Sequence, residues 1–221
     1  MTLSRAIAVE LNRTADSDGF PLPSAWDAAP AQTFCADWQG QNSDPRRETG
    51  IQLLWTHDNL YLRFQCHYRE LTVFPDSEPS GRRDHLWDRD VAEVFLQPDP
   101  SRPMHYLEFE VSPIGQWIAL AIDRTTVPHK LSDLESGLRR RVALNEQQKL
   151  WTAALVIPMS SLVNRFDPNE VWRVNFFRVE GKAEPRFYSA WNPTKTLEPN
   201  FHVPEAFGGL IFSRADAPKP A

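Results

Sequence analysis

Glycine and cysteine are both few in this 221-residue chain, at nine and two. Two cysteines cannot build the multi-bridge framework of a disulfide-stapled domain. Cys35 and Cys66 are read as buried free thiols, and a bridge between them stays open. No Cys-x-x-Cys or paired-histidine motif is present, so zinc has no support. Long apolar runs are also missing, which leaves no membrane-spanning helix. Met1 to Leu11 lacks the charged start, apolar stretch and small-residue cleavage site of a signal peptide. As written, the chain is expected to stay in the cytosol unless it was cut from an exported precursor. Excess positive charge is absent too. The formal net charge of −5 argues against nucleic acid or an anionic membrane as partner. The one basic run, Arg139-Arg140-Arg141, reads as an exposed strand edge that blocks strand addition.

Aromatics and proline are plentiful: eight Trp, thirteen Phe and nineteen Pro. With little glycine, that mixture favours short strands broken by rigid turns. Alternation of period two recurs along the chain. Gly50 to Thr56 and Leu60 to Tyr68 flank His57-Asp58-Asn59 as a hairpin. Met104 to Ser112 and Gln116 to Ile122 flank Pro113-Ile114-Gly115. Leu138 to Leu144 pairs with Leu150 to Ile157, and Val171 to Val179, Phe187 to Trp191 and Gly209 to Phe212 follow. Phe74 to Arg89 and Thr125 to Gly137 read as loops. Pro158 to Val163 is the one short helix expected. About a dozen short strands predict an all-β, antiparallel β-sandwich. Nothing marks a linker inside residues 4–212, so residues 1–221 read as one domain with 213–221 as a loose tail.

The most informative segment is Leu86-Trp87-Asp88-Arg89-Asp90-Val91-Ala92-Glu93-Val94-Phe95-Leu96. Alternation sends Ala92, Val94 and Leu96 to one face and Glu93, Phe95 and Gln97 to the other. In the next strand Leu107, Phe109 and Val111 point inward, and Tyr106, Glu108 and Glu110 point out. An indole beside outward carboxylates suits a sugar: the ring covers the apolar face of a pyranose, and the carboxylates accept from its hydroxyls. A solvated outer sheet face would give the same pattern.

Several pieces in order carry a resemblance. They are Trp26-Asp27, Leu60-Tyr61-Leu62-Arg63-Phe64, the Trp87 segment, Tyr106 through Gly115, Val174-Asn175-Phe176-Phe177-Arg178, Trp191 and Phe207-Gly208-Gly209-Leu210. Together they cover nearly the whole chain, which resembles the family 9 carbohydrate-binding modules of the DOMON-like superfamily. The resemblance implies a non-catalytic module, associated with glycoside hydrolases, that binds a mono- or oligosaccharide of a polysaccharide such as xylan, often at its reducing end. It implies Trp87 and Trp191 as two rings sandwiching the sugar and Glu93 as their acidic partner. Tyr106, Glu108 and Asn192 are further candidates for contact. It also implies structural calcium, for which Asp84, Asp88 and Asp90 are the candidate ligands. Because relatives of this sandwich include haem binders, Met104 and His105 come into question as axial ligands. Adjacent strand residues point to opposite faces and cannot both ligate one iron.

Two alternatives stand beside sugar binding. Glu108 and Glu110, two apart on one strand, have the spacing a glycoside hydrolase could use. A sandwich without a ligand could instead serve protein interaction.

Overall fold

The computed structural model describes residues 4–12, 15–75 and 81–214. Among them thirteen strands form one curled sheet: β1 Arg5–Glu10, β2 Gln32–Phe34, β3 Thr49–Trp55, β4 Asn59–His67, β5 Val91–Gln97, β6 His105–Val111, β7 Trp117–Asp123, β8 Lys130–Asp133, β9 Arg139–Asn145, β10 Leu150–Pro158, β11 Trp172–Glu180, β12 Phe187–Ala190 and β13 Gly208–Ser213. The order is β8-β7-β6-β5-β11-β13-β1-β3-β4-β10-β9, with β12 on β11 and β2 on β3. The sheet folds over so that β5, β6 and β11 face β3, β4 and β10 across a common core. This is the β-sandwich that the strand pattern predicts.

Large aromatics set the core. Trp55, Trp151 and Trp172 are fully buried. The Trp172 ring meets Phe212 at 4.8 Å, edge to face, and both meet Phe166. Full burial of such a side chain contributes about 1.5–3 kcal/mol. Small residues let strands approach: a Cβ on Gly208 would sit 2.5 Å from the Ser4 carbonyl oxygen and 2.8 Å from Trp191 Cζ3.

The expected strands recur with shifts of one or two residues, and several elements differ. β1, unanticipated, runs parallel to both β13 and β3, the exception to an otherwise antiparallel sheet. Its partners lie about 40 and 200 positions away, which local patterning cannot reveal. β8 occupies part of the expected Thr125–Gly137 loop, and all four of its residues are exposed. Without a buried face it carries no alternation. The expected helix at Pro158–Val163 is a single 3-10 turn, Met159–Ser161. The expected tail lies largely outside the described residues. Cys35 and Cys66 are free thiols, and burial pushes the Cys66 thiol up to about 11.

β9 is an end strand of the sheet, as its three arginines suggest. Arg141 pairs with Asp16 at 2.7 Å and Asp18 at 2.9 Å, while Arg139 reaches the Asp18 carbonyl.

Candidate functional site

β5 is buried on both faces along its whole length. Ala92, Val94 and Leu96 enter the sandwich core. The opposite face is not a solvated outer layer. Val91 and Phe95 join a second cluster with Tyr106, Ile118, Leu120, Ile122, Phe177, Val179, Phe201 and Phe207. Segments from outside the sheet cover this face, and between them and the strands lies a cleft of ≈ 230 Å³.

Glutamates form the floor. Glu93 stands opposite Glu110 across the β5/β6 ladder, and Phe95 stands opposite Glu108. Glu93 and Glu108 are 2% exposed and Glu110 is 0% exposed. Each offers an oxygen within 4.8 Å of the others. Burial drives all three carboxyls above the ordinary carboxylate range, and mutual repulsion pushes Glu93 and Glu110 further. The Arg186 guanidinium opposes the rise at Glu93.

The walls are aromatic. Trp87 comes from the 3-10 turn Leu86–Asp88 and Tyr188 from β12. Phe201 and His202 come from the segment after β12. Phe201 stacks on Phe177 at 4.2 Å and meets Tyr188 at 6.0 Å, edge to face. Arg186 ties the two sides together. Its Nη1 donates to the Trp87 carbonyl at 2.6 Å, and its guanidinium lies 4.9 Å from the Tyr188 ring centre. Glu184 accepts from both Tyr188 Oη, at 2.5 Å, and Arg186 Nε, at 3.0 Å. Burial and this carboxylate push the Tyr188 hydroxyl up to about 12. The His202 ring lies 5.2 Å from Phe95, with Nδ1 2.7 Å from Tyr106 Oη. Burial, then the charges of Arg124 and His129, lower His202 to about 4, so it is neutral at pH 7.

Four of the residues singled out from sequence, Trp87, Glu93, Glu108 and Glu110, line this cleft. Tyr106 lies behind the wall and supports His202. Trp191 does not join them. Its ring packs on Phe176 at 5.4 Å, on the sandwich-core side of β11. Parity is the reason. Tyr188 pairs with Val179 and Ala190 with Phe177, which puts Tyr188 on the cleft face, and an odd offset of three sends Trp191 to the other. Asn192 is likewise elsewhere: its backbone exchanges hydrogen bonds with the Asn175 amide. Sequence reasoning passed over Tyr188, Arg186, Phe201 and His202. Alternation could have found Tyr188, whereas the other three depend on how loops fold back.

The aspartates proposed for calcium do not converge. Asp84 pairs with Arg82 at 2.9 Å and Asp88 is exposed. Asp90 is buried with Arg178, at 3.9 Å, and accepts from the Gly181 amide at 2.8 Å. Burial raises the Asp90 carboxyl to about 6, against the pull of Arg178. Among the described residues, the group that could hold a metal ion is Glu93, Glu108 and Glu110.

A larger groove of ≈ 520 Å³ runs between β6–β8 and Ser160–Asn164. Among its polar groups, His105 lies 3.4 Å from Asp123, and Asp99 accepts from Ser101. The smaller cleft, with buried carboxyls converging beneath aromatic rings, is the stronger candidate.

Residues 31–212 match carbohydrate-binding family 9. An extracellular protein of Arthroderma benhamiae is 26% identical over 185 residues, covering 76% of this chain and 80% of its own. Human UPF0462 protein C4orf33 is 30% identical over 145 residues, covering 63% and 67%. Among solved structures, a candidate carbohydrate-binding protein from Bacteroides uniformis ATCC 8492 superposes with a TM-score of 0.73 at 18% identity, covering 96% of this chain and all of that one. A family 9 carbohydrate-binding module from Caldicellulosiruptor kristjanssonii in complex with glucose gives 0.66 at 13% identity, covering 98% and 100%. The same organism's module in complex with cellotriose gives 0.67 at 13% identity, covering 99% and 100%.

Proposed function

The chain belongs to carbohydrate-binding family 9, and from that premise we propose that it binds a saccharide, without transforming it, in the cleft between Trp87 and Tyr188. The observation that carries this reading is the union of aromatic walls with a floor of buried carboxyls. A pyranose has apolar ring faces and hydroxyl-lined edges. Trp87 and Tyr188 offer surfaces to the faces, and Glu93 and Glu108 offer oxygens to the edges. Because burial favours their protonated forms, the floor carboxyls can donate as well as accept. The Arg186–Glu184 bridge holds the two rings before ligand arrives, which lowers the ordering cost of binding. At ≈ 230 Å³ the cleft is smaller than the roughly 300–1,000 Å³ of drug-sized pockets. That size favours one terminal sugar unit, such as a reducing end, over a chain lying across it. The modules solved with glucose and cellotriose make gluco-configured sugars the first to test.

Geometry favours binding over hydrolysis. A glycosidase places two carboxyls on either side of the scissile bond, about 5–5.5 or 6.5–9.5 Å apart. Here three crowd within 4.8 Å on one sheet face. Weakened acidity of a carboxyl also accompanies glycosidase acids, but in this cluster burial and like charge account for it.

Calorimetric titration with glucose, cellotriose, and xylo- and galacto-oligosaccharides tests the proposal. Saturable binding that Trp87→Ala weakens is expected. No binding to any of these sugars, or binding indifferent to Trp87→Ala, would overturn it. A reducing-sugar assay in the same samples should detect no new ends.

A further inference from the structure

One wall of the cleft is held by a chain of hydrogen bonds that ends on an imidazole. The backbone of His202 is fixed on both sides: its amide donates to Asn200 Oδ1 at 3.0 Å, and its carbonyl accepts from Arg124 Nη1. The His202 ring lies 5.2 Å from Phe95 and lines the cleft together with Glu108. Tyr106 stacks on the same Phe95 ring at 5.6 Å and meets Phe207 edge to face at 5.4 Å, which fixes its hydroxyl in place. That hydroxyl lies 2.7 Å from His202 Nδ1, its one hydrogen-bond partner among the described residues. Tyr106 is 2% exposed, so solvent does not serve its hydroxyl. The other ring nitrogen, His202 Nε2, has no partner among the described residues and points away from Tyr106.

A neutral imidazole has one donor nitrogen and one acceptor nitrogen, whereas a phenol hydroxyl does both. If Nδ1 carried the proton and donated to the Tyr106 oxygen, the Tyr106 hydrogen would be buried with no acceptor. If Nδ1 is bare and accepts from Tyr106, both groups are satisfied and the ring proton sits on Nε2. Stranding a buried donor carries its full desolvation penalty, so the second arrangement wins. The doubly protonated ring is disfavoured by burial and by the charges of Arg124 and His129. We infer that Tyr106 holds His202 in the Nε2–H tautomer, and that this N–H donates to an oxygen of the bound saccharide. His202 is then a specificity residue of the cleft and Tyr106 a positioning residue behind it. A carboxyl can carry its proton on either oxygen and so adapts to its ligand. The imidazole N–H has one direction, and it selects for a sugar oxygen at one place. The donor role rests on the cleft taking a saccharide; the tautomer does not.

The test uses the full chain labelled with ¹⁵N, at pH 7.5. Long-range ¹H–¹⁵N correlation spectra without sugar should show His202 Nε2 as the protonated nitrogen and Nδ1 as the bare one. The reverse pattern overturns the inference whatever the cleft binds. Tyr106→Phe should turn the single tautomer into a mixture, and an unchanged single tautomer there overturns the positioning role. With glucose or cellotriose added, the Nε2–H signal should shift saturably. In calorimetry, His202→Phe should weaken binding roughly 3- to 10-fold, the worth of one neutral hydrogen bond. Phe keeps a ring against Phe95 but strands the Tyr106 hydroxyl. The double variant Tyr106→Phe/His202→Phe strands nothing, so it should melt near the wild type and still bind more weakly by that factor. His202→Gln, which can accept from Tyr106 and donate onward, should recover part of the loss. Wild-type affinity in the double variant, beside the loss that Trp87→Ala causes, overturns the donor role and leaves the saccharide reading standing. A wild type that binds neither sugar overturns both.

Discussion

Replacing Glu110 by Gln should flatten the pH dependence of stability. In the folded chain, burial and the charges of Glu93 and Glu108 hold the Glu110 carboxyl well above 4.5, the ordinary value it recovers on unfolding. A carboxyl raised in this way contributes stability that is full below the unfolded value and is lost as pH rises through the folded one. Each proton the native state keeps beyond the unfolded state gives a slope of about 1.4 kcal/mol per pH unit. Between pH 5.5 and 7.5 the wild type should therefore lose up to about 3 kcal/mol relative to Glu110→Gln. Asp90, raised to about 6, slopes the same way, and His202, lowered to about 4, slopes oppositely. Both are common to the two proteins and cancel in the difference. The assay is urea denaturation followed by tryptophan fluorescence in EDTA, at half-unit pH steps. Curves that stay parallel within about 0.5 kcal/mol would refute the claim that this carboxyl is buried among like charges.

The two indoles should separate by phenotype. Trp87→Ala should weaken sugar binding by about 1–2 kcal/mol, roughly 5- to 30-fold, with the melting temperature little changed. Trp191→Ala should instead cost about 3 kcal/mol of stability, because its ring packs on Phe176, and should leave calorimetric affinity for the same sugar intact. Arg178→Ala should cost about 3–5 kcal/mol by urea denaturation, since it strands the buried carboxylates of Asp90 and Glu180. Iodoacetamide at pH 8 should label Cys35 and spare Cys66 in mass spectrometry, because Cys66 is fully buried with its thiol at about 11. Modification of Cys66 in the native protein would contradict that packing.

The buried charges divide into two classes. Arg178, Asp90 and Glu180 lie on the sandwich-core side, where Glu180 also accepts from Arg47 Nε at 3.1 Å and the Arg69 amide at 3.0 Å. Arg178 rests 5.2 Å over the Trp151 ring. That group combines opposite charges with hydrogen bonds to the backbone and to Arg47. The glutamates on the cleft side are of one sign and open to the cleft. Burial alone would not distinguish them; opposite charge in the first group and like charge beside a cleft in the second do, and that makes the second group the functional candidate.

Sequence by itself determined the β-sandwich and the placement of most strands, because alternation with period two is a local property. It also settled which residues share a face: Glu93 with Phe95, and Tyr106 with Glu108 and Glu110, all on the side away from the sandwich core. Local pattern could not say what covers that face. Only the tertiary structure decided that the 3-10 turn at Leu86–Asp88 and the Phe201–His202 segment close over it, turning an apparent solvent face into a cleft with dry carboxyls. The pairing of β5 with β6 brought Glu93 opposite Glu110, a register set by contacts well separated in the chain. The same dependence explains the parallel placement of β1 and why Tyr188, not Trp191, lines the cleft with Trp87. Those outcomes follow from strand register and loop closure, which are fixed by packing between distant segments and leave no signature in any one of them.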